Sequence, residues 1–159
     1  MQRLLTHEAL VFPDYGAFEL YDADCDAHDD NSLIPNARAH VAASNGYEVR
    51  VACAQSLIKV RLYIETWTAK PPVPDGWDGH CDLQLELPTG QLVISEGTMG
   101  ARDVMLTKGH CGVRISYRGR SEAKGIAEAQ SLEADLSRHD GTEQYLLQLW
   151  PEAQNRLLA

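Results

Sequence analysis

The chain has 159 residues, of which 44% are hydrophobic and 23% charged, and a formal net charge of −9. That length and composition predict one globular domain spanning 1–159, burying about two-thirds of its unfolded surface, and exclude a chain disordered throughout. The acidic balance also excludes nucleic acid as a partner, because a phosphate backbone would be repelled.

The charge is unevenly placed. Glu8, Asp14, Glu19, Asp22, Asp24, Asp26, Asp29 and Asp30 oppose only Arg3 within the first 32 residues, whereas the rest of the chain holds 15 acids and 13 bases. A concentrated negative field of this kind points to a basic partner, a metal or solubility. The opening Met1 to Phe12 interrupts its apolar stretch with His7 and Glu8, which fails as the core of a secretory signal. No apolar run approaches the ~18 residues a membrane helix needs, so a cytoplasmic protein with no membrane partner is expected.

Period-2 alternation dominates from the start. Ala9 to Phe12 and Ala17 to Tyr21 flank Pro13-Asp14-Tyr15-Gly16, which reads as a turn. Asp22 to Asn36 contains five aspartates and Pro35 without periodicity and reads as a long loop. Tyr47 to Ala54 and Leu57 to Trp67 alternate apolar with polar side chains across a short linker, which predicts a hairpin. Ala69 to Gly76, with Pro71, Pro72 and Pro74, reads as a stiff crossover. Cys81 to Leu87 and Leu92 to Ile94, joined by Pro88-Thr89-Gly90, predict a second hairpin. Val104 to Thr107, Cys111 to Tyr117 and Thr142 to Trp150 supply further strands. Ser121 to Leu136 is rich in Ala, Glu and Gln and predicts the one substantial helix, at the surface, with a thin stripe of Ile126, Ala129, Leu132 and Leu136. The fold expected is a mainly β antiparallel sandwich of about eight or nine strands with one surface helix near 121–136.

Candidate chemistry is sparse. Asp22, Asp24 and Asp26 have the alternate spacing of a calcium loop, but its glycine is replaced by Ala27 and its closing glutamate by Leu33. A looser divalent site could use Asp26, His28, Asp29 and Asp30, yet a solvated acidic loop explains the same residues. Cys25 and His28 make only half a zinc site, and His80-Cys81 and His110-Cys111 point to opposite faces of their strands. Glu86 and Glu96 read as exposed strand carboxylates rather than an acid and base pair, and no nucleophile motif is present. The four cysteines form no CxxC and read as separate reduced thiols. No metal, no cofactor and no catalytic residue is therefore expected, and the protein reads as a non-enzyme. Trp77, between Gly76 and Asp78 in the crossover, is the tryptophan most exposed to a partner.

The segment Glu143 to Pro151, the Tyr15-Gly16 turn, Ser44-Asn45-Gly46 and the Val113 to Gly119 strand followed by a helical insert resemble, in order, landmarks of small bacterial β-rich proteins, many of them from actinobacteria. More distantly the arrangement is similar to the competence protein J family, described as inhibitors of a DNA-entry nuclease. The resemblance implies a β-rich fold and a protein partner, and it carries no catalytic residue. Joined to the acidic loop, it leads to a nuclease inhibitor or toxin-immunity protein in which Asp22, Asp24, Asp26, Asp29 and Asp30, with Trp77, oppose the Lys and Arg of a basic partner. The alternative is a small-molecule or carbohydrate-binding sandwich, calcium-assisted, with Trp77 and the acidic loop lining a cleft. The oligomeric state is left open.

Overall fold

The computed structural model describes residues 1–26, 30–129 and 135–153. Ten strands run in order β1 (Arg3–Val11), β2 (Ala17–Asp22), β3 (Ala42–Ser44), β4 (Glu48–Ala52), β5 (Val60–Trp67), β6 (Gly79–Leu87), β7 (Gln91–Ser95), β8 (Ala101–Met105), β9 (Gly109–Arg118) and β10 (Gln144–Pro151). Two helices join them, α1 (Ile34–His40) and α2 (Arg120–Ala129). The strands form two five-stranded sheets, β1-β5-β10-β9-β6 and β3-β4-β2-β7-β8, which are not closed into a barrel. All pairs are antiparallel except β5 with β10.

The core is the sum of the alternating inward faces. Val60, Leu62 and Ile64 of β5, Val113 and Ile115 of β9 and Leu147 of β10 are fully buried against Phe18, Leu20, Val49, Val51, Leu92 and Ile94 of the other sheet. Each such side chain contributes about 1.5–3 kcal/mol. Phe18 meets Tyr145 edge to face across the sheets at 5.7 Å, a favourable aromatic geometry.

Neither expected hairpin forms. β4 and β5 lie in different sheets, and so do β6 and β7. The linkers at 53–59 and 88–90 are corners that carry the chain from one sheet to the other, as 12–16 and 106–108 also do. Alternation shows that one face of a strand is buried, and that face looks the same whether the next strand lies beside it or opposite it. The turn at Pro13 to Gly16 is present, closed by the Gly16 amide on the Pro13 carbonyl at 2.9 Å. The Asp22 to Asn36 loop is shorter than expected, since a 3-10 turn at Asn31–Leu33 runs into α1. Pro35 sits in the first turn of α1, where its missing N–H costs nothing. Ala37, Leu33 and Ala43 pack together there over the outer face of β3 and β4. α2 begins as expected, but its buried residue is Ala123, and Leu136 lies outside any helix; residues 130–134 lie outside the described ones.

The proline-rich crossover 68–78 passes over the outer face of the first sheet, and Arg114 holds it there. This side chain is 2% exposed. It donates to the carbonyls of Pro71 at 2.9 Å and Pro72 at 3.2 Å and to Gln148 Oε1 at 3.3 Å, with Asp82 Oδ1 at 3.3 Å. Arg114→Ala leaves two carbonyls and Gln148 without their donor, so it is expected to lower stability by about 2–3 kcal/mol in urea unfolding. A change below about 0.5 kcal/mol would mean that the crossover holds itself in place.

Cys53, Cys81 and Cys111 pack against the core as free thiols. Burial pushes Cys81 and Cys111 from the ordinary value of 9.0 up to about 11, and raises Cys53 and the Tyr145 hydroxyl as well. The folded protein keeps protons that the unfolded chain has lost, so this stability is complete below about pH 9 and disappears as pH rises towards about 11. Urea midpoints measured across that interval should fall steadily, with a shallower fall in a Cys81→Ala/Cys111→Ala variant.

Candidate binding surface

The acidic loop follows β2, and the alternation of that strand decides what happens to its first aspartate. Phe18 and Leu20 point into the core, so Asp22, two further on, points the same way and is fully buried. Its carboxylate is saturated. Oδ2 accepts from the amides of Thr89 at 3.0 Å and Gly90 at 3.1 Å, and Oδ1 from the Thr89 hydroxyl and the Asp24 amide, both at 2.9 Å. The loop is thereby fastened to the corner between β6 and β7, and the Ala23 amide adds a bond to the Gln91 carbonyl at 2.9 Å.

The far end of the loop is fixed in a similar way. Asp30 caps the 3-10 turn, accepting from the Ser32 hydroxyl at 2.6 Å, the Ser32 amide at 3.0 Å and Asn45 Nδ2 at 3.0 Å. These bonds, led by the Ser32 hydroxyl, hold its carboxyl below the usual carboxylate value. The Asp30 amide donates to the buried Glu48 at 3.2 Å, and Asn45 Oδ1 accepts from the amides of Tyr47 and Glu48 at 2.8 Å. Between the two anchors Asp24 and Asp26 are exposed. Asp29 and His28 lie outside the described residues, so the looser divalent site is not described. Among the described residues no group of three His, Cys, Asp or Glu side chains is arranged to hold a metal.

Trp77 does not share a surface with the loop. It is half-buried on the outer face of the first sheet, edge-on to Tyr63 with 6.4 Å between ring centres, and the Arg118 guanidinium lies 4.0 Å from its ring centre. It stands by the Gly79 end of β6, whereas the loop is tied to the corner beyond Leu87 at the other end. Glu96 is likewise not an exposed carboxylate. It is 8% exposed and accepts from the Phe12 amide at 2.6 Å and from Arg102 at 3.1 Å. Glu86 contacts His110 Nδ1 at 2.6 Å.

Sequence reasoning passed over another buried carboxylate, Glu143. It is 1% exposed and accepts from the Ala54 amide at 2.8 Å, from Gln55 Nε2 at 3.1 Å and from the Tyr145 hydroxyl, with Arg120 Nη1 at 3.7 Å. This network joins β10, α2 and the corner between β4 and β5 at the end of the sandwich away from the acidic loop. With three hydrogen bonds drawn from β10 and the corner at 53–59, and Arg120 of α2 beside it, the carboxylate clamps these elements together.

The class defined by these features is a two-sheet β-sandwich whose strands change sheet at short corners and whose acidic loop is pinned by an inward carboxylate. No family model matches the chain, and no curated protein matches it. Two solved structures share its fold. One is described as crocagin biosynthetic gene J, with 16% identity over 96% of this chain and 100% of that one and a TM-score of 0.64. The other is ComJ, inhibitor of the DNA degrading activity of NucA, from Bacillus subtilis, with 11% identity over 95% of this chain and 98% of that one and a TM-score of 0.62. The distant resemblance to the competence protein J family is thus matched in three dimensions, and at these identities it is the fold that is shared.

Because Asp22 is structural while Asp24 and Asp26 are exposed, substitutions should separate them. Asp22→Ala removes the acceptor shared by the Thr89, Gly90 and Asp24 amides and the Thr89 hydroxyl and is expected to cost about 2–3 kcal/mol in urea unfolding. Asp24→Ala and Asp26→Ala should each stay within about 0.5 kcal/mol; equal losses at all three would contradict the anchoring role.

Proposed function

We propose that this protein is a non-enzymatic binding module that inhibits a basic nuclease or toxin, using Asp24, Asp26 and Asp29 as its contact carboxylates and Asp22 and Asp30 as the anchors that hold them in place. The observation that carries this reading is the exposed acidic loop, fastened at both ends, on a fold shared along almost its whole length with a protein described as a nuclease inhibitor. A nuclease site is basic because it holds phosphates. Carboxylates next to an anchored strand end, as Asp24 and Asp26 are, lose less conformational freedom on binding such a site than free ones, while charge complementarity speeds encounter and rejects acidic competitors. Trp77 belongs to this proposal only as a contact on a different face. The same reading places the protein in the cytoplasm; no described helix is long and apolar enough to cross a membrane.

Charge reversal tests the loop. Tagged protein incubated with lysate of its own host at about 50 mM salt should retain a basic partner that is released as salt rises. Asp24→Lys/Asp26→Lys/Asp29→Lys should lose that partner and its salt dependence with nearly unchanged thermal unfolding. Undiminished retention by the triple variant would remove the loop from the interface.

A further inference from the structure

The two sheets end in four edge strands, β1, β6, β3 and β8. An edge presents backbone amides and carbonyls that a further strand can pair with, and proteins blunt it by covering, shortening or distorting it. β6 is covered, since the Glu86 amide donates to the Gly46 carbonyl at 2.8 Å and the Ser44 hydroxyl to the Gln84 carbonyl at 2.7 Å. β3 has only three residues, and β1 is distorted by a register shift between Arg3 and Leu5. β8 has neither cover nor shift among the described residues.

The register decides which groups β8 offers. Hydrogen-bonded and non-hydrogen-bonded pairs alternate along an antiparallel ladder. The Glu96 amide donates to the Gly100 carbonyl at 2.8 Å and the Leu106 amide to the Gly90 carbonyl at 2.6 Å. Arg102 and Val104, in step with these two, therefore bond to β7, and Ala101, Asp103 and Met105 aim their N–H and C=O groups at the open edge. Val93, opposite Asp103, lies between the buried Leu92 and Ile94, so the Asp103 side chain stands on the outer face, while Val104 packs against the core.

This edge adjoins the acidic loop. The Asp103 carboxylate accepts from Gln91 Nε2, and the Gln91 main-chain carbonyl accepts from the Ala23 amide at 2.9 Å. Asp14 is held against the turn between β7 and β8 by the Thr98 amide at 2.8 Å. Neither Asp14 nor Asp103 has a cationic partner among the described residues, whereas Arg50 and Arg102 are neutralised by Glu19 at 2.7 Å and Glu96 at 3.1 Å. Lys108 lies past the end of the strand. The edge thus continues the negative surface of the loop.

We propose that β8 is a docking edge for an extended strand of the basic partner, with a lysine or arginine opposite Asp103 and an apolar residue beside Val104. This rests on the inhibitor reading for the partner's basic character and adds how the partner is held, by main-chain hydrogen bonds at Ala101, Asp103 and Met105. A second copy is a poorer occupant, because each chain carries −9 and a twofold pairing centred on Asp103 would set two carboxylates face to face.

Hydrogen exchange of the intact protein, read amide by amide by NMR, distinguishes a paired strand from charge attraction. Saturating acetyl-Lys-Val-Lys-Val-Lys-amide should slow exchange about ten-fold or more at Ala101, Asp103 and Met105 and leave Arg102 and Val104, already bonded to β7, unchanged. The same peptide N-methylated at its central lysine keeps every charge but loses the pairing amide, and it should give no slowing; nor should acetyl-Glu-Val-Glu-Val-Glu-amide. Met105→Pro removes one outward N–H without breaking the β7 ladder and should weaken the lysine peptide about ten-fold with thermal unfolding nearly unchanged. Asp103→Lys, which keeps the backbone intact, should weaken it as well. No slowing, uniform slowing along β8, or equal binding of the N-methylated peptide would overturn the docking edge and leave the inhibitor reading to its own test, charge reversal of the loop. Slowing of the same amides that grows with protein concentration alone would assign the edge to a second copy and overturn it too.

Discussion

One buried carboxylate organises the acidic end of the molecule. Asp22 is the last residue of β2, faces inward with Phe18 and Leu20, and is satisfied by the backbone of the corner at Thr89 and Gly90. An uncompensated carboxylate there would be costly; hydrogen-bonded to that corner, it ties strand end, acidic loop and inter-sheet corner into one piece. The same corner packs closely against the backbone of Leu106 and Lys108, at the corner between β8 and β9.

The same device recurs at the opposite end of the sandwich, where Glu143 accepts from Ala54, Gln55 and Tyr145. A sandwich whose strands repeatedly change sheet leaves backbone amides at its corners that no ladder can satisfy. Buried carboxylates meet that need: Asp22 at 88–90, Glu143 at 53–59 and Glu96 at Phe12. The outer face of the first sheet is handled differently, with Arg114 offering its donors to the carbonyls of a proline-rich strap that has few amides of its own.

Strands were legible in the sequence because burial on one face imposes period 2, and the positions of β4, β5, β6, β9 and β10 follow it closely. Their connectivity was hidden, since Ala54-Gln55-Ser56 and Pro88-Thr89-Gly90 suit a hairpin and a sheet-changing corner equally well. α1 was missed because Pro35 suggests a loop, although a proline is at home in a first helical turn. The role of Asp22 could have been found by extending the alternation of Phe18 and Leu20 by one step; in a run of five aspartates its charge concealed its register.

The central proposal is inhibition through an anchored acidic surface, and its most direct test is DNA degradation by the basic nuclease proposed as partner. With the partner purified and its nuclease activity followed at low and moderate salt, saturating amounts of this protein should stop degradation stoichiometrically, and rising salt should restore it. Undiminished degradation by a partner shown to be bound would contradict the account.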